Sequence, residues 1–362
     1  MSSTERYETA LALLKKLIAT PSFSKEEAQT AAIIGTFFTA QHIPFEQIGY
    51  NILVKNQHFD ASKPTILLNS HHDTVKPNAG YTLDPFQPVE KDGKLYGLGA
   101  NDAGGCLVAL ALTFVHFYQQ TLPYNLLFVA SAEEENSGSG GIESVLPHLP
   151  TPEFAIVGEP TEMHMAVAEK GLMVLDCYAK GVAGHAARDI GTNAIYAALP
   201  DIEWFRTFAF PHISKHLGPV KMTVTQINAG QQHNLIPDTC HFVVDVRSTD
   251  AYTNAELLSE IKQAISCDVQ ARSTRLNPSF LPDNLPISQV ADALGIQKFG
   301  SPTTSDQAVM PFPSFKMGPG KSERSHTPDE FIFLREISDG IEGYIRLLDA
   351  LFKSSPWMDR GG

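Results

Sequence analysis

Four short apolar runs, NILV (51–54), TILLN (65–69), NLLFVA (125–130) and FAIVG (154–158), punctuate the first half of a 362-residue chain. A longer apolar stretch of helical character, GGCLVALALTFVHFY (104–118), stands between the second and third. Apolar runs too short for helices, alternating with stretches long enough for them, predict a sheet covered on both faces and so an α/β fold. Two helices come before: one over the opening MSSTERYETALALLKKLIATPS, and one that Ser24 to Glu27 would open as a capping box, running to about Ala40.

From Lys170 the texture changes. GLMVLDCYAKG, VKMTVTQINAG and CHFVVDVRS alternate like strands with one wet face, interleaved with helical stretches at 192–208 and 254–266. That block predicts a separate inserted α+β domain over 171–274, the main domain being 1–170 plus 275–362. The tail SSPWMDRGG is expected to fray.

Composition narrows the partners. Acids outnumber bases 40 to 27, for a formal charge of −13, and there is no basic stripe for nucleic acid. No run approaches the ~18 apolar residues of a membrane span. Cys106, Cys177, Cys240 and Cys267 are widely spaced and form no CxxC pair, which fits reduced thiols in a cytoplasm. The charged N-terminus does not read as a signal peptide.

The chemistry collects just beyond the strands. After TILLN come His71, His72 and Asp73; after KLYGLG come Asn101 and Asp102. After NLLFVA stand Glu133, Glu134 and Glu135; after FAIVG comes Glu159; His326 lies near the C-terminus. Loops at the carboxyl ends of an open α/β sheet can converge on one site. Imidazoles and carboxylates without thiolates suit zinc, cobalt or manganese. Adjacent acids repel, and two divalent cations would offset that repulsion.

SHHDTV, GLGANDAGG, SAEEENSG, VGEPT, GVAGHAA, QHNLIPD with VDVRS, and GPGKSERSHTPDE occur in this order along nearly the whole chain. Together they resemble the zinc-dependent amidohydrolase and metallopeptidase family of acetylornithine deacetylase and succinyl-diaminopimelate desuccinylase. The resemblance implies a metal-dependent exopeptidase-like catalytic domain with a mixed sheet, and a ferredoxin-like inserted lid that mediates homodimerisation. It assigns His71, Asp102, Glu135, Glu159 and His326 to two Zn2+ ions, with Co2+ or Mn2+ as substitutes, and makes Asp102 the bridge. Asp73 would orient the His71 imidazole, Glu134 would be the general base, and Glu133 would be structural. His185 would help stabilise the oxyanion, in many relatives from the other subunit. Asn234, Arg247, Gly318, Gly320 and Asp306 would meet the substrate, Arg247 by gripping its α-carboxylate.

Two departures stand out. Gly104 takes the place of a lysine common in the family, and HAARDIG lacks a proline common after the histidine of the inserted domain. The implied reaction is deacylation of an N-acyl amino acid: N-acetylornithine, or an N-acyl-citrulline or N-succinylornithine, in arginine biosynthesis. Succinyl-diaminopimelate desuccinylase and a di- or tripeptidase are the alternatives. A catalytically inactive metal-binding scaffold is a further one from another class. Lys316, Lys321, Arg324 and Arg275 are the basic residues a second, succinyl carboxylate would call on.

Overall fold

The computed structural model describes residues 1–188 and 190–354. It divides into two compact units, one of Met1–Val167, Phe280–Phe299 and the chain from Ser305, the other of Ala168–Ser279 and Gly300–Thr304. The short return of 300–304 to the second unit carried no sequence signal. All but the first residue of the SSPWMDRGG tail lies outside the described residues.

The first unit is built on a mixed sheet. Along it run Glu46–Ile48, Asn51–Lys55, Asn125–Ser131, Thr65–His71, Phe154–Val157, Ser314–Lys316 and Met165–Glu169. The four central strands, Asn125–Ser131 to Ser314–Lys316, are mutually parallel. Every residue of Thr65–His71 and Asn125–Ser131 is buried, which explains why these runs read as continuous rather than alternating. Ile66, Leu68, Leu126 and Phe128 face a core made with the helices Ser3–Ile18, Ala28–Ala40, Gly105–Phe117 and Leu334–Ser354. Leu67, Leu127 and Val129 face the other way, onto Ile142, Val145 and Met310.

One segment, Ala100–Phe117, is apolar and long enough to cross a membrane by composition, but most of it is buried in this core. It is also interrupted by non-helical backbone at Asp102 and Ala103.

The expected capping box at Ser24 is absent. The helix begins at Ala28 with Glu27 at its N-cap and no side-chain cap bond. Ser24 instead donates to Asp73 Oδ2 at 2.7 Å, and Glu27 accepts from the backbone of Lys25 and Glu133. Ser24 is drawn away by a partner distant in sequence, and Glu27 is shared between its near neighbour Lys25 and the distant Glu133. A true capping box sits at Ser2 and Glu5 on the first helix.

The second unit is a four-stranded antiparallel sheet, ordered Lys221–Ala229, Thr239–Arg247, Met173–Lys180, Asp268–Ala271. Helices Ala194–Thr207 and Asn254–Ala264 cover one face, where Leu175, Cys177, Phe242 and Val244 are buried. The other face is polar. There Asp176 accepts from Arg272 Nε (2.7 Å) and Nη2 (3.0 Å) and from His241 Nε2 (2.8 Å).

The Arg272 hydrogen bonds hold the Asp176 carboxyl down at about 2. A depressed carboxylate stabilises the fold above its unfolded value of about 3.9, and that contribution disappears as pH falls toward 2. Water around half-exposed Arg272 screens the pair, so we expect Asp176→Asn to cost about 1 kcal/mol at pH 7. Urea melts should show the gap between variant and parent closing between pH 4 and pH 2. A gap independent of pH would remove the ion pair as its cause.

Candidate metal centre

The parallel strands end side by side, and the register places His71 opposite Ser131. The loops after them therefore open from one edge. His71 is 1% exposed and is held by a hydrogen bond from Nδ1 to the Asp73 backbone oxygen at 3.0 Å, with the Asp73 carboxylate 3.4 Å away. A proton fixed on Nδ1 leaves the Nε2 lone pair free to bind a cation.

Nε2 of His71 lies 3.3 Å from Asp102 Oδ1, 3.8 Å from Glu159 Oε1 and 3.9 Å from Glu134 Oε2. His326 Nε2 lies 3.0 Å from Glu135 Oε2 and 3.6 Å from Asp102 Oδ2. Asp102 thus stands between the two imidazoles. Ligand atoms of His71, Glu134 and Glu159 fall within 4.8 Å of one another, and so do those of His71, Asp102 and Glu135. Glu134 is therefore at ligand distance, not only at the distance of a base.

Asp73 does more than orient an imidazole. Its carboxylate accepts the backbone N–H of Glu134 at 3.0 Å and of Glu135 at 3.1 Å, beside the Ser24 hydroxyl. It thereby sets the turn that aims both glutamates. Glu133 points away, into the turn of Gly138 and Gly140, where an added Cβ would meet its carboxylate at 2.0 and 2.3 Å. His72, next to His71, is buried too. Its Nε2 faces the Tyr50 carbonyl at 3.0 Å and so carries the proton, leaving Nδ1 to accept from Thr30 Oγ1 at 2.9 Å. Burial holds it down at about 4, so it is neutral.

The electrostatics call for positive charge. Burial first, and neighbouring carboxylates next, drive Glu134 well above the usual carboxylate range and Glu159 to about 8. Burial opposes the charge of His71, yet Glu134, Asp102 and Asp73 pull its pKa well above the usual imidazole value. The hydrogen bond to Glu135 raises His326 to about 9. Divalent cations relieve such a demand, and the nitrogen and oxygen donors present fit zinc, cobalt or manganese.

Three residues expected at the substrate have other partners. Asp306 is 7% exposed and accepts from Ser131 Oγ (2.6 Å) and Asn69 Nδ2 (3.0 Å), behind the strand ends. Burial pushes its carboxyl up to about 6. Gly318 packs where a Cβ would meet Cys106 Sγ and the Glu159 carbonyl, both at 2.6 Å. Gly320, at φ +89°, abuts Asn101 Oδ1 at 2.4 Å from such a Cβ. Contact with the ligand-bearing loops leaves no room for a side chain at either glycine.

Position 104 has no room for a lysine, because a Cβ there would meet the Gly99 carbonyl at 2.5 Å and Leu14 Cδ1 at 2.7 Å. Glu330, which no motif singles out, and Asn101, which stands beside Asp102 in GLGANDAGG, fasten the Asp102 loop.

In the second unit, His185 pairs with Leu235, the residue after Asn234, in a two-stranded ladder of Gly184–His185 and Leu235–Ile236. His185 and Asn234 are exposed, and the Asn234 carbonyl accepts the Ala186 N–H at 3.0 Å. Arg247 ends the strand Thr239–Arg247 and donates twice to Asp245, at 2.8 and 3.1 Å. That is a within-strand ion pair on the polar face.

Known proteins share the family and the fold of this chain. The family described as Peptidase family M20/M25/M40 matches residues 67–350. Acetylornithine deacetylase of Proteus mirabilis is 28% identical over 362 residues, covering 90% of this chain and 92% of its own. A probable carboxypeptidase of Paracoccidioides lutzii is 27% identical, covering 97% and 83%. The crystal structure of Bacillus subtilis YXEP, a dinuclear metal-binding peptidase of the M20 family, superposes with a TM-score of 0.74 at 15% identity, covering 97% and 100%.

Proposed function

The chain belongs to peptidase family M20/M25/M40, and on that premise we propose that it hydrolyses the N-acyl amide of a small amino acid, with N-acetylornithine as the preferred substrate. One observation carries the reading: a buried imidazole ringed by carboxylates at the ends of parallel strands, in the donor set of a two-cation site. His71 and Asp102, with Glu135 and His326 on one side and Glu159 on the other, would hold the pair. When bound, two such cations supply Lewis acidity that polarises the acyl carbonyl and acidifies a water.

Glu134 does the proton work. A carboxylate Oε takes the proton of the attacking water and delivers it to the amine nitrogen as the C–N bond breaks, leaving a carboxylate and a free amine. Asp73 holds Glu134 through its backbone N–H, so the base is positioned without spending its own carboxylate. We assign His185 to the developing oxyanion and Asn234 to the substrate, on their motifs. Arg247 would exchange Asp245 for the substrate α-carboxylate, a bidentate partner of the same geometry.

The choice of acetyl over succinyl rests on the basic residues. Arg324 is committed to Glu336 by two hydrogen bonds, at 2.7 and 3.1 Å, and lies over Phe331 and Phe333. Lys316 is 3% exposed, and its charge acts on Glu159; Lys321 is 3.7 Å from Glu162. A succinyl carboxylate would have to compete for them. The free ornithine released fits a role in arginine biosynthesis.

Similarity to a probable carboxypeptidase favours a peptidase as the second reading. The zinc-loaded protein should show its highest kcat/KM on acetylornithine among acetyl- and succinyl-ornithine, the matching citrullines, succinyl-diaminopimelate and a di- and tripeptide. A succinyl substrate or peptide in first place would transfer the assignment. Turnover of none, with metal bound, would leave a scaffold.

Light scattering on the same preparation should give twice the chain mass. Lys221–Ala229 is an edge strand with Ile227 exposed, and Tyr196 and Leu199 are exposed on the helix Ala194–Thr207. A single chain mass would remove the dimer.

A further inference from the structure

Glu330 has no place in the reaction just described, yet it is 2% exposed and touches the Asp102 loop. Its Oε1 accepts the backbone N–H of Asn101 at 2.7 Å and of Asp102 at 2.9 Å, and its Oε2 that of Gly99 at 3.1 Å. Its carbonyl accepts the Gly97 N–H at 3.0 Å. The Asn101 side chain makes the return connection. Its Nδ2 donates to the Lys321 carbonyl at 3.1 Å, and its Oδ1 accepts the Lys321 N–H at 3.0 Å. Two segments more than two hundred residues apart are thus clasped at both ends, with Asp102 on one and His326 on the other.

We propose that Glu330 is a positioning residue for the metal centre, fixing the backbone that presents Asp102 and registering it against His326. This rests on the two-cation reading of that centre. Geometry explains the residue type. Three N–H donors converge on two oxygens, and a loop held by one carboxylate turns as one piece. An amide at this position could keep the bonds from Asn101 and Asp102, but its nitrogen would face the N–H of Gly99, donor against donor. Burying a carboxylate beside Asp102 is costly for a part that serves packing alone. Outer contacts that orient a ligand commonly tune metal affinity about 10–100-fold.

The experiment is a Co2+ titration of the full-length metal-free protein and of Glu330→Gln, read by binding isotherm, visible absorption and thermal melting. We expect the parent to bind two Co2+ and Glu330→Gln to bind at least one of them about 10–100-fold more weakly. The visible bands should shift, because the Asp102 carboxylate is re-aimed. A lowered melting temperature with unchanged affinity and bands would make Glu330 a structural strap and overturn the proposal. Should Glu330→Gln yield no folded protein, Glu330→Asp, which keeps the charge one methylene short, goes through the same titration with the same two outcomes. A parent that binds no Co2+ would instead sink the two-cation reading itself, and the two failures are told apart on the first titration.

Discussion

Glu134→Ala should lower kcat by about 10²–10⁴-fold, the usual contribution of a positioned base, while bound metal stays at the parent level. The argument is local. The Glu134 backbone is pinned to Asp73, so truncating the side chain leaves the turn that aims Glu135 in place. What disappears is a carboxylate 3.9 Å from His71 Nε2. That distance also makes Glu134 a possible ligand, so the test needs both readouts. Elemental analysis showing one cation lost would turn the base into a ligand. Retained turnover would remove it from the chemistry. The same two measurements on His185→Ala should give a lower kcat with metal retained, and no change would detach His185 from the reaction.

Asp102→Ala should have the second large effect, and a different kind. Its two oxygens lie 3.3 Å from His71 Nε2 and 3.6 Å from His326 Nε2, so a single side chain serves both halves of the centre. Its removal leaves Glu135 with His326 on one side, and His71 with Glu159 on the other, with nothing shared. We expect bound metal to fall from two per chain to one or fewer. The accompanying loss of several kcal/mol of transition-state stabilisation is about 10³-fold or more in kcat. Two equivalents of tightly held zinc with kcat within tenfold of the parent would rule out Asp102 as the bridge.

These expectations could be framed because the site's outline is legible along the chain. TILLN, NLLFVA and FAIVG read as buried strands because they are buried on both faces, and the acids and histidines follow them where strands must end. The alternating strands of the second unit read equally well, since one face packs on helices and the other stays wet.

What could not be read is which polar side chain meets which. Ser24 and Glu27 have the spelling of a capping box, but Ser24 turns to Asp73 and Glu27 accepts from Lys25 and Glu133 instead of from Ser24. Asp306 is expected to meet the substrate, and the contact it makes with Ser131, 175 positions away, could not be read. Glu330 is an ordinary loop letter until its segment lies beside that of Asp102. Gly318 and Gly320 were legible as close-approach positions, but not what approaches them. Short-range rules see neighbours in sequence, and the supporting contacts of this centre are almost all long-range.

The interrupted path of the first unit bears on how the molecule comes off the ribosome. Every strand of the second unit emerges before Ser314–Lys316, which completes the parallel set of the first. Until then Phe154 lacks Phe315, its stacking partner, and Phe117 lacks Phe352. His71 is synthesised early, but His326 and the clasp on Asp102 arrive only near the end. A nascent chain halted short of that point carries every ligand of the metal-binding constellation but His326, and a bare apolar sheet edge, the form most in need of a chaperone.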